Sequence, residues 1–147
     1  MTSADSGFLV SLYLKETTSA QAFQTVSQLR HPISLTWLAV LEFENALLRA
    51  VFVGRITSQE ALMAKFQFEA NLKSNTYLEK EVDCKSVSIE ASRLAAHYTP
   101  TIGTRTLDLL HVAAATLLHC DQFLSFDDRQ RRVAAAVGLN VLPIITP

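Results

Sequence analysis

The sequence predicts an α/β protein in three layers, a short central parallel sheet covered by helices on both faces. Short runs with strand character alternate with longer segments of helical periodicity, the pattern of βα units. One helical segment, Thr106 to Leu118, is apolar all round and must be buried, so helices pack deeply rather than lying on a surface. Caps and stops fall between the segments and mark their order. In sheets of this kind ligands bind outside the carboxyl ends of the strands. The polar residues that directly follow strands are therefore the first candidates for a site.

Thr2-Ser3-Ala4 is a very short first segment, and Gly7 to Leu14 begins a helix directly after Asp5. From Thr18 to Arg30, Ala22, Phe23, Val26 and Leu29 recur at helical spacing, and His31-Pro32 stops the helix. Pro32 to Thr36 reads as a short strand. Trp37 to Val53 is a long amphipathic helix closed by Gly54. Thr57 and Glu60 form a capping box that opens a helix to about Ser74. Residues 77–83 fit either a strand or a loop. Ser86 to Tyr98 is helical and ends near Pro100 and Gly103; the buried helix Thr106 to Leu118 follows. Phe123 to Phe126 fits a buried strand, Asp128 to Val137 a helix ended by Gly138, and Asn140 to Leu142 a last strand before Pro143.

With 147 residues, 49% of them hydrophobic, the chain reads as one domain, 1–147, able to bury a real core. A net charge of −1 excludes an obviously basic nucleic-acid module and an acidic disordered tail. Two cysteines, Cys84 and Cys120, are too few for a disulfide scaffold and fit a reducing cytoplasm. The most apolar run, Leu107 to Leu118, carries Asp108 and His111 and is far short of the roughly 20 residues of a membrane span. The first residues lack the basic stretch of a secretory signal. A cytoplasmic protein without a membrane role is expected.

Asp5 and Asp127 each follow a strand, Asp108 lies among apolar neighbours, and Glu42 and Glu44 lie in the Trp37 helix. Singly, Asp5, Asp108 and Asp127 each suit a helix start, where a carboxylate meets free N–H groups. Together they repel one another unless protonated or bound to cations. An oxygen-only set suits a hard ion, Mg²⁺ or Mn²⁺. A helical wheel puts Glu44 within the stripe of Trp37, Leu41, Leu48 and Phe52, and Glu42 beside Leu38, Asn45 and Arg49. Periodicity leaves the choice between the two glutamates open.

Four stretches, in order, carry a resemblance: Asp5-Ser6-Gly7-Phe8-Leu9-Val10-Ser11-Leu12-Tyr13 with Glu16; Glu42-Phe43-Glu44-Asn45-Ala46-Leu47; Leu107-Asp108-Leu109-Leu110-His111-Val112-Ala113-Ala114-Ala115; and Phe123-Leu124-Ser125-Phe126-Asp127 with Gly138-Leu139. The chain resembles PIN-domain ribonucleases, in particular the VapC-type toxins of bacterial toxin–antitoxin pairs. The resemblance implies a PIN-like α/β/α domain whose metal-site acids fall on Asp5, Glu42, Asp108 and Asp127. The Glu-x-x-Asn-Ala-Leu spacing selects Glu42, with Glu44 as the fallback, while Asp128 doubles the last acid. It also implies one or two Mg²⁺ or Mn²⁺ ions, an RNA substrate, a small antitoxin that covers the cleft, and a homodimer. Ser125 takes a place near the metal, Arg105 and Arg129 are candidate phosphate contacts, and Ser6 is a further substrate contact.

Two bound dications turn the formal charge from −1 to +3, where RNA phosphates must approach. Arg131 and Arg132 read as helix-surface charges, and His111 as a hydrogen-bonded structural residue or, less simply, one that approaches the metal. His31, His97 and His119 belong to no ligand pattern, Ser6 has no partner for a serine-hydrolase triad, and no P-loop occurs. Trp37, Phe43, Leu47, Phe52, Phe66 and Phe68 read as core, some of the second helix's set alternatively facing a partner. The expected function is a metal-dependent endoribonuclease, with a DNA-directed or RNA-processing nuclease as a variant. The rival from another class is a non-catalytic scaffold that binds RNA or protein.

Overall fold

The computed structural model describes residues 1–144. Its strands are β1 (Thr2–Ala4), β2 (Ile33–Leu35), β3 (Tyr77–Glu79), β4 (Gln122–Leu124) and β5 (Asn140–Leu142), all parallel, in the order β3-β2-β1-β4-β5. The helices are α1 (Ser6–Tyr13), α2 (Ser19–Ser27), α3 (Trp37–Phe52), α4 (Ser58–Lys73), α5 (Cys84–Ile102), α6 (Thr106–Leu117) and α7 (Asp128–Ala136). The expected α/β architecture with a short parallel sheet is the one observed.

Two apolar clusters, one on each face of the sheet, make the three layers. Phe123 and Leu124 are neighbours in β4, and successive strand residues point to opposite faces. Leu124 packs with α1 to α4, Phe123 with α5 to α7, and both are fully buried. That double burial explains why the strand is apolar without alternation. On the first face an aromatic group ties the elements together. Phe43 and Phe68 stand 4.5 Å apart at their ring centres, Tyr13 lies 5.0 Å from Phe43, and Phe68 lies 5.6 Å from Tyr77. Asn71 Nδ2 donates to the Tyr13 hydroxyl, which donates to that of Tyr77.

The ambiguous stretch 77–83 supplies β3, an edge strand in which Tyr77 is buried and Glu79 exposed. Three residues with a charged end give too weak a period to read. The next helix begins at Cys84 rather than Ser86, because Asp83 caps it: Asp83 Oδ2 accepts from both the N–H and the hydroxyl of Ser86 at 2.8 Å. It also runs past Pro100 to Ile102, since a proline in the last turn forfeits only one donor. Gly103, at φ +70°, then closes the helix with its N–H on the Thr99 carbonyl. The capping box of Thr57 and Glu60 forms as expected.

The expectation for the aromatic sets needs correction. Phe43, Leu47 and Phe68 are core, but Trp37 is 43% exposed, Phe66 60% and Phe52 89%. Helix α3 is apolar on two sides, and only the side bearing Ala39, Phe43, Leu47 and Ala50 can face the sheet. The stripe of Trp37, Leu41, Leu48 and Phe52 lies opposite and faces outward.

Candidate active site

The chain moves from β1 to β2 and β3 on one side, then returns to β4 on the other, so the winding direction switches between β1 and β4. A crevice opens at the carboxyl ends of strands that diverge in this way. Asp5 directly follows β1, and its N–H donates to the Leu124 carbonyl of β4 at 3.1 Å. Asp127 follows β4 after two residues.

Asp5 is buried and caps α1, its Oδ1 accepting from the Phe8 N–H at 2.6 Å. Asp127 is exposed and caps α7, its Oδ1 accepting from the Gln130 N–H at 2.9 Å. Asp108, half-buried in the first turn of α6, accepts from the Arg105 N–H through Oδ2 at 3.1 Å. These acids do cap helices, as their positions allowed, and the parallel sheet sets the starts of α1 and α7 side by side, each helix following one of the neighbouring strands β1 and β4. Each helix end carries partial positive charge that favours a carboxylate there.

Glu42 reaches the same region from α3. Its Oε2 accepts from the Ser6 hydroxyl at 2.9 Å and meets His111 Nε2 at 2.5 Å. The ring cluster that locks Phe43 into the core turns its neighbour Glu42 toward α1 and α6. Glu44 points elsewhere and pairs with Lys65 of α4 at 2.9 Å. It sits on the outward stripe, which removes the oddity of an acid in an apolar stripe.

The carboxylates are pushed in opposite directions. Burial raises Asp5 above its ordinary value and Asp127 adds to the rise, while His111, the Ser125 hydroxyl and the Phe8 N–H act against it. Burial also raises Asp108, opposed first by the Arg105 N–H and reinforced by Asp127. Glu42 is lowered, chiefly by its hydrogen bond with His111 and further by the charge of His111 and the Ser6 hydroxyl, against its own burial. His111 thus lies within reach of Asp5, Glu42 and Asp108 at once. It is hydrogen-bonded and buried, as a structural histidine is, yet it stands among the acids.

Among the described residues, no group of three or more His, Cys, Asp or Glu side chains is already arranged to hold a metal ion. The donor chemistry nonetheless fits a hard cation. Each of the four acids commits one oxygen to the bonds just given: Oδ1 in Asp5 and Asp127, Oδ2 in Asp108, Oε2 in Glu42. The second oxygens of Glu42, Asp108 and Asp127 make no hydrogen bond within the described residues and remain available to a ligand, while the Asp5 carboxylate also lies beside the Ser125 hydroxyl.

The other candidates divide. Ser6 is bonded to Glu42, and Arg105 is exposed beside Asp108. Arg129 is exposed and donates to the Gly103 carbonyl at 3.2 Å, which puts both guanidinium groups at the loop between α5 and α6. Ser125 is fully buried beneath the site, accepting from the Asp127 N–H at 3.1 Å and donating to Gln130 Oε1 at 2.9 Å, so it supports the Asp127 turn. Glu16 pairs with Arg55 and Asp128 is exposed next to Asp127. Arg131 is not a surface charge. It is partly buried and donates to the carbonyls of Ser125 and Pro143 at 2.7 and 2.8 Å, bracing the loop after β4. Gln130, also buried, escaped the sequence reading; an Asp-x-x-Gln at a helix start was its only signal.

No curated protein matches the chain in sequence. Solved structures with the same fold include VapC20 of Mycobacterium tuberculosis, described as a sarcin–ricin loop cleaving toxin, at 15% identity and a TM-score of 0.72 over 97% of this chain and 100% of that one. VapBC2 of Rickettsia felis, bound to a DNA fragment from its promoter, superposes with a TM-score of 0.68 at 10% identity over 96% of each chain. FitAcB of Neisseria gonorrhoeae does so with a TM-score of 0.64 at 12% identity over 97% of each. The family model for the PIN domain matches residues 4–136, which contain three of the five strands in full and all seven helices, and the chain belongs to the PIN-domain family.

Proposed function

We propose that this protein is a metal-dependent endoribonuclease and the toxin half of a toxin–antitoxin pair. The observation that carries the reading is the set of Asp5, Glu42, Asp108 and Asp127 at the switch point, each pinned through one oxygen, with the second oxygen of Glu42, Asp108 and Asp127 free. These residues would hold one or two Mg²⁺ or Mn²⁺ ions, which supply an activated water and neutralise charge developing on the phosphodiester. The N-termini of α1, α6 and α7 favour anionic groups at this edge, both the carboxylates and an approaching phosphate. Arg105 and Arg129 flank the α5–α6 loop and draw the RNA backbone toward it. Pinning through helix caps fixes the acids before any ligand arrives, which limits the reorganisation that a reaction requires.

The likeness to VapC20, a sarcin–ricin loop cleaving toxin, and to VapBC2 supports both the nuclease and a protein antitoxin. The outward stripe of α3, with Phe66 of α4, supports assembly with protein, as a homodimer and with the antitoxin. Among the described residues no helix is long and apolar enough to cross a membrane, and with RNA as substrate this reading puts the protein in the cytoplasm.

Cleavage of mixed single-stranded and hairpin RNAs by the purified chain tests this reading. Cutting should require Mn²⁺, stop with EDTA and vanish in Asp108→Asn. A folded chain that neither binds Mn²⁺ nor cuts would establish a non-catalytic scaffold instead.

A further inference from the structure

Gln130 is the third residue of α7 and follows its N-cap Asp127, the place of the second partner in a capping box. In a capping box the side chain at this position turns back to the N–H of the cap residue. Here it does not. The Asp127 N–H is taken by Ser125 Oγ at 3.1 Å, and the Ser125 hydroxyl donates to Gln130 Oε1 at 2.9 Å. The Gln130 amide is thereby free to cross to another helix, where Nε2 donates to the backbone carbonyl of Asp108 at 3.2 Å. The Gln130 N–H also holds Asp127 Oδ1 at 2.9 Å.

One side chain, 2% exposed, therefore joins the turn that carries Asp127 to the first turn of α6 that carries Asp108. Every polar atom of this chain of bonds has a partner, and the orientation of the amide follows from its neighbours: a carbonyl on one side must meet the NH₂ group. The join opposes a specific force. Asp127 and Asp108 carry like charges and repel each other when both are ionised. Without a tie across α6 and α7, the exposed Asp127 turn has room to relieve it by moving outward.

We propose that Gln130 is a positioning residue, which fixes the separation of Asp108 and Asp127 and so sets the affinity of the site for a divalent cation. The inference rests on the metal site proposed above. Partners that orient metal ligands without touching the metal change its affinity by about 10- to 100-fold when removed.

The test is Mn²⁺ binding by calorimetry, with the melting temperature of the metal-free protein measured alongside. Gln130→Met keeps the length of the side chain and removes both hydrogen bonds. Gln130→Leu removes both hydrogen bonds with a more compact apolar side chain and serves if Gln130→Met does not fold. Each variant should bind Mn²⁺ about tenfold more weakly than wild type, with RNA cleavage recovered at saturating Mn²⁺. Variants that melt earlier but bind Mn²⁺ within about twofold of wild type would give Gln130 a structural role only and overturn the inference. A wild-type chain that binds no Mn²⁺ would remove the metal site itself, a failure distinct from equal binding by wild type and variants.

Discussion

His111 Nε2 meets Glu42 Oε2 at 2.5 Å, joining the middle of α6 to the second turn of α3. The contact spans the two halves of the chain and ties an acid from one cluster of helices to a buried imidazole from the other. It is the main cause of the low proton affinity of Glu42. Replacing His111 with Leu should destabilise the fold by about 1 kcal/mol, the cost of losing one hydrogen bond to a partly buried carboxylate that keeps its bond from Ser6. The Glu42 carboxyl should then titrate at higher pH by NMR, because only the Ser6 hydroxyl still opposes its burial. His111→Gln, which keeps a donor, should recover part of both effects. An unchanged Glu42 titration in His111→Leu would show that the contact does not govern this acid.

Asp5 makes the opposite contribution. Burial raises its proton affinity in the folded state, so between the ordinary value of 3.8 and the raised one the native protein binds more protons than the unfolded chain. Stability from this group is therefore greatest at low pH and is lost as pH rises through the folded value. Asp108 acts in the same direction, and Glu42, being lowered, acts against it. Asp5→Asn retains a good N-cap acceptor for the Phe8 N–H and removes the buried charge. At neutral pH and without metal it should melt higher, by about 2–4 °C for each kcal/mol regained, and should lose cleavage. A melting temperature below that of wild type would contradict the cost assigned to this charge.

Glu42 and Glu44 provide an internal control two residues apart. Glu42→Gln should abolish metal-dependent cleavage, because it weakens a ligand at the switch point. Glu44→Gln removes an ion pair with an exposed lysine and should leave both the unfolding midpoint and cleavage as in wild type. Loss of cleavage in Glu44→Gln with retention in Glu42→Gln would exchange their roles.

These contrasts also explain what could be read in advance. Strand and helix order was legible because caps such as Thr57 with Glu60 and stops such as Gly103 are local chemistry. The edge strand at Tyr77 was not, since three residues ending in an exposed glutamate have no period. At the site, Asp5 and Asp127 were legible from their place after strands. Gln130 was hidden because its local pattern points to the cap residue, and its actual partner, the Asp108 carbonyl, is remote in sequence. Arg131 was misread for a related reason: the two carbonyls that hold it lie on a loop and beyond β5, which no helical wheel reveals. The wheel of α3 likewise displays two apolar stripes and does not say which one meets the sheet.

That ambiguity has a direct energetic test. Phe43 and Phe52 lie on the same helix, the first fully buried among Tyr13 and Phe68, the second 89% exposed. Phe43→Ala should cost about 3–5 kcal/mol, transfer and cavity terms together, and should disturb the neighbouring Glu42 as the ring cluster loosens. Phe52→Ala should change the stability of the isolated chain by no more than about 0.5 kcal/mol, since it removes no packed contact. If the outward stripe is covered in an assembly, Phe52→Ala should shift the sedimentation profile toward smaller species while chemical denaturation of the dissociated chain is unchanged. Equal denaturation midpoints for Phe43→Ala and wild type would refute the orientation of α3, and with it the path by which Glu42 reaches the site.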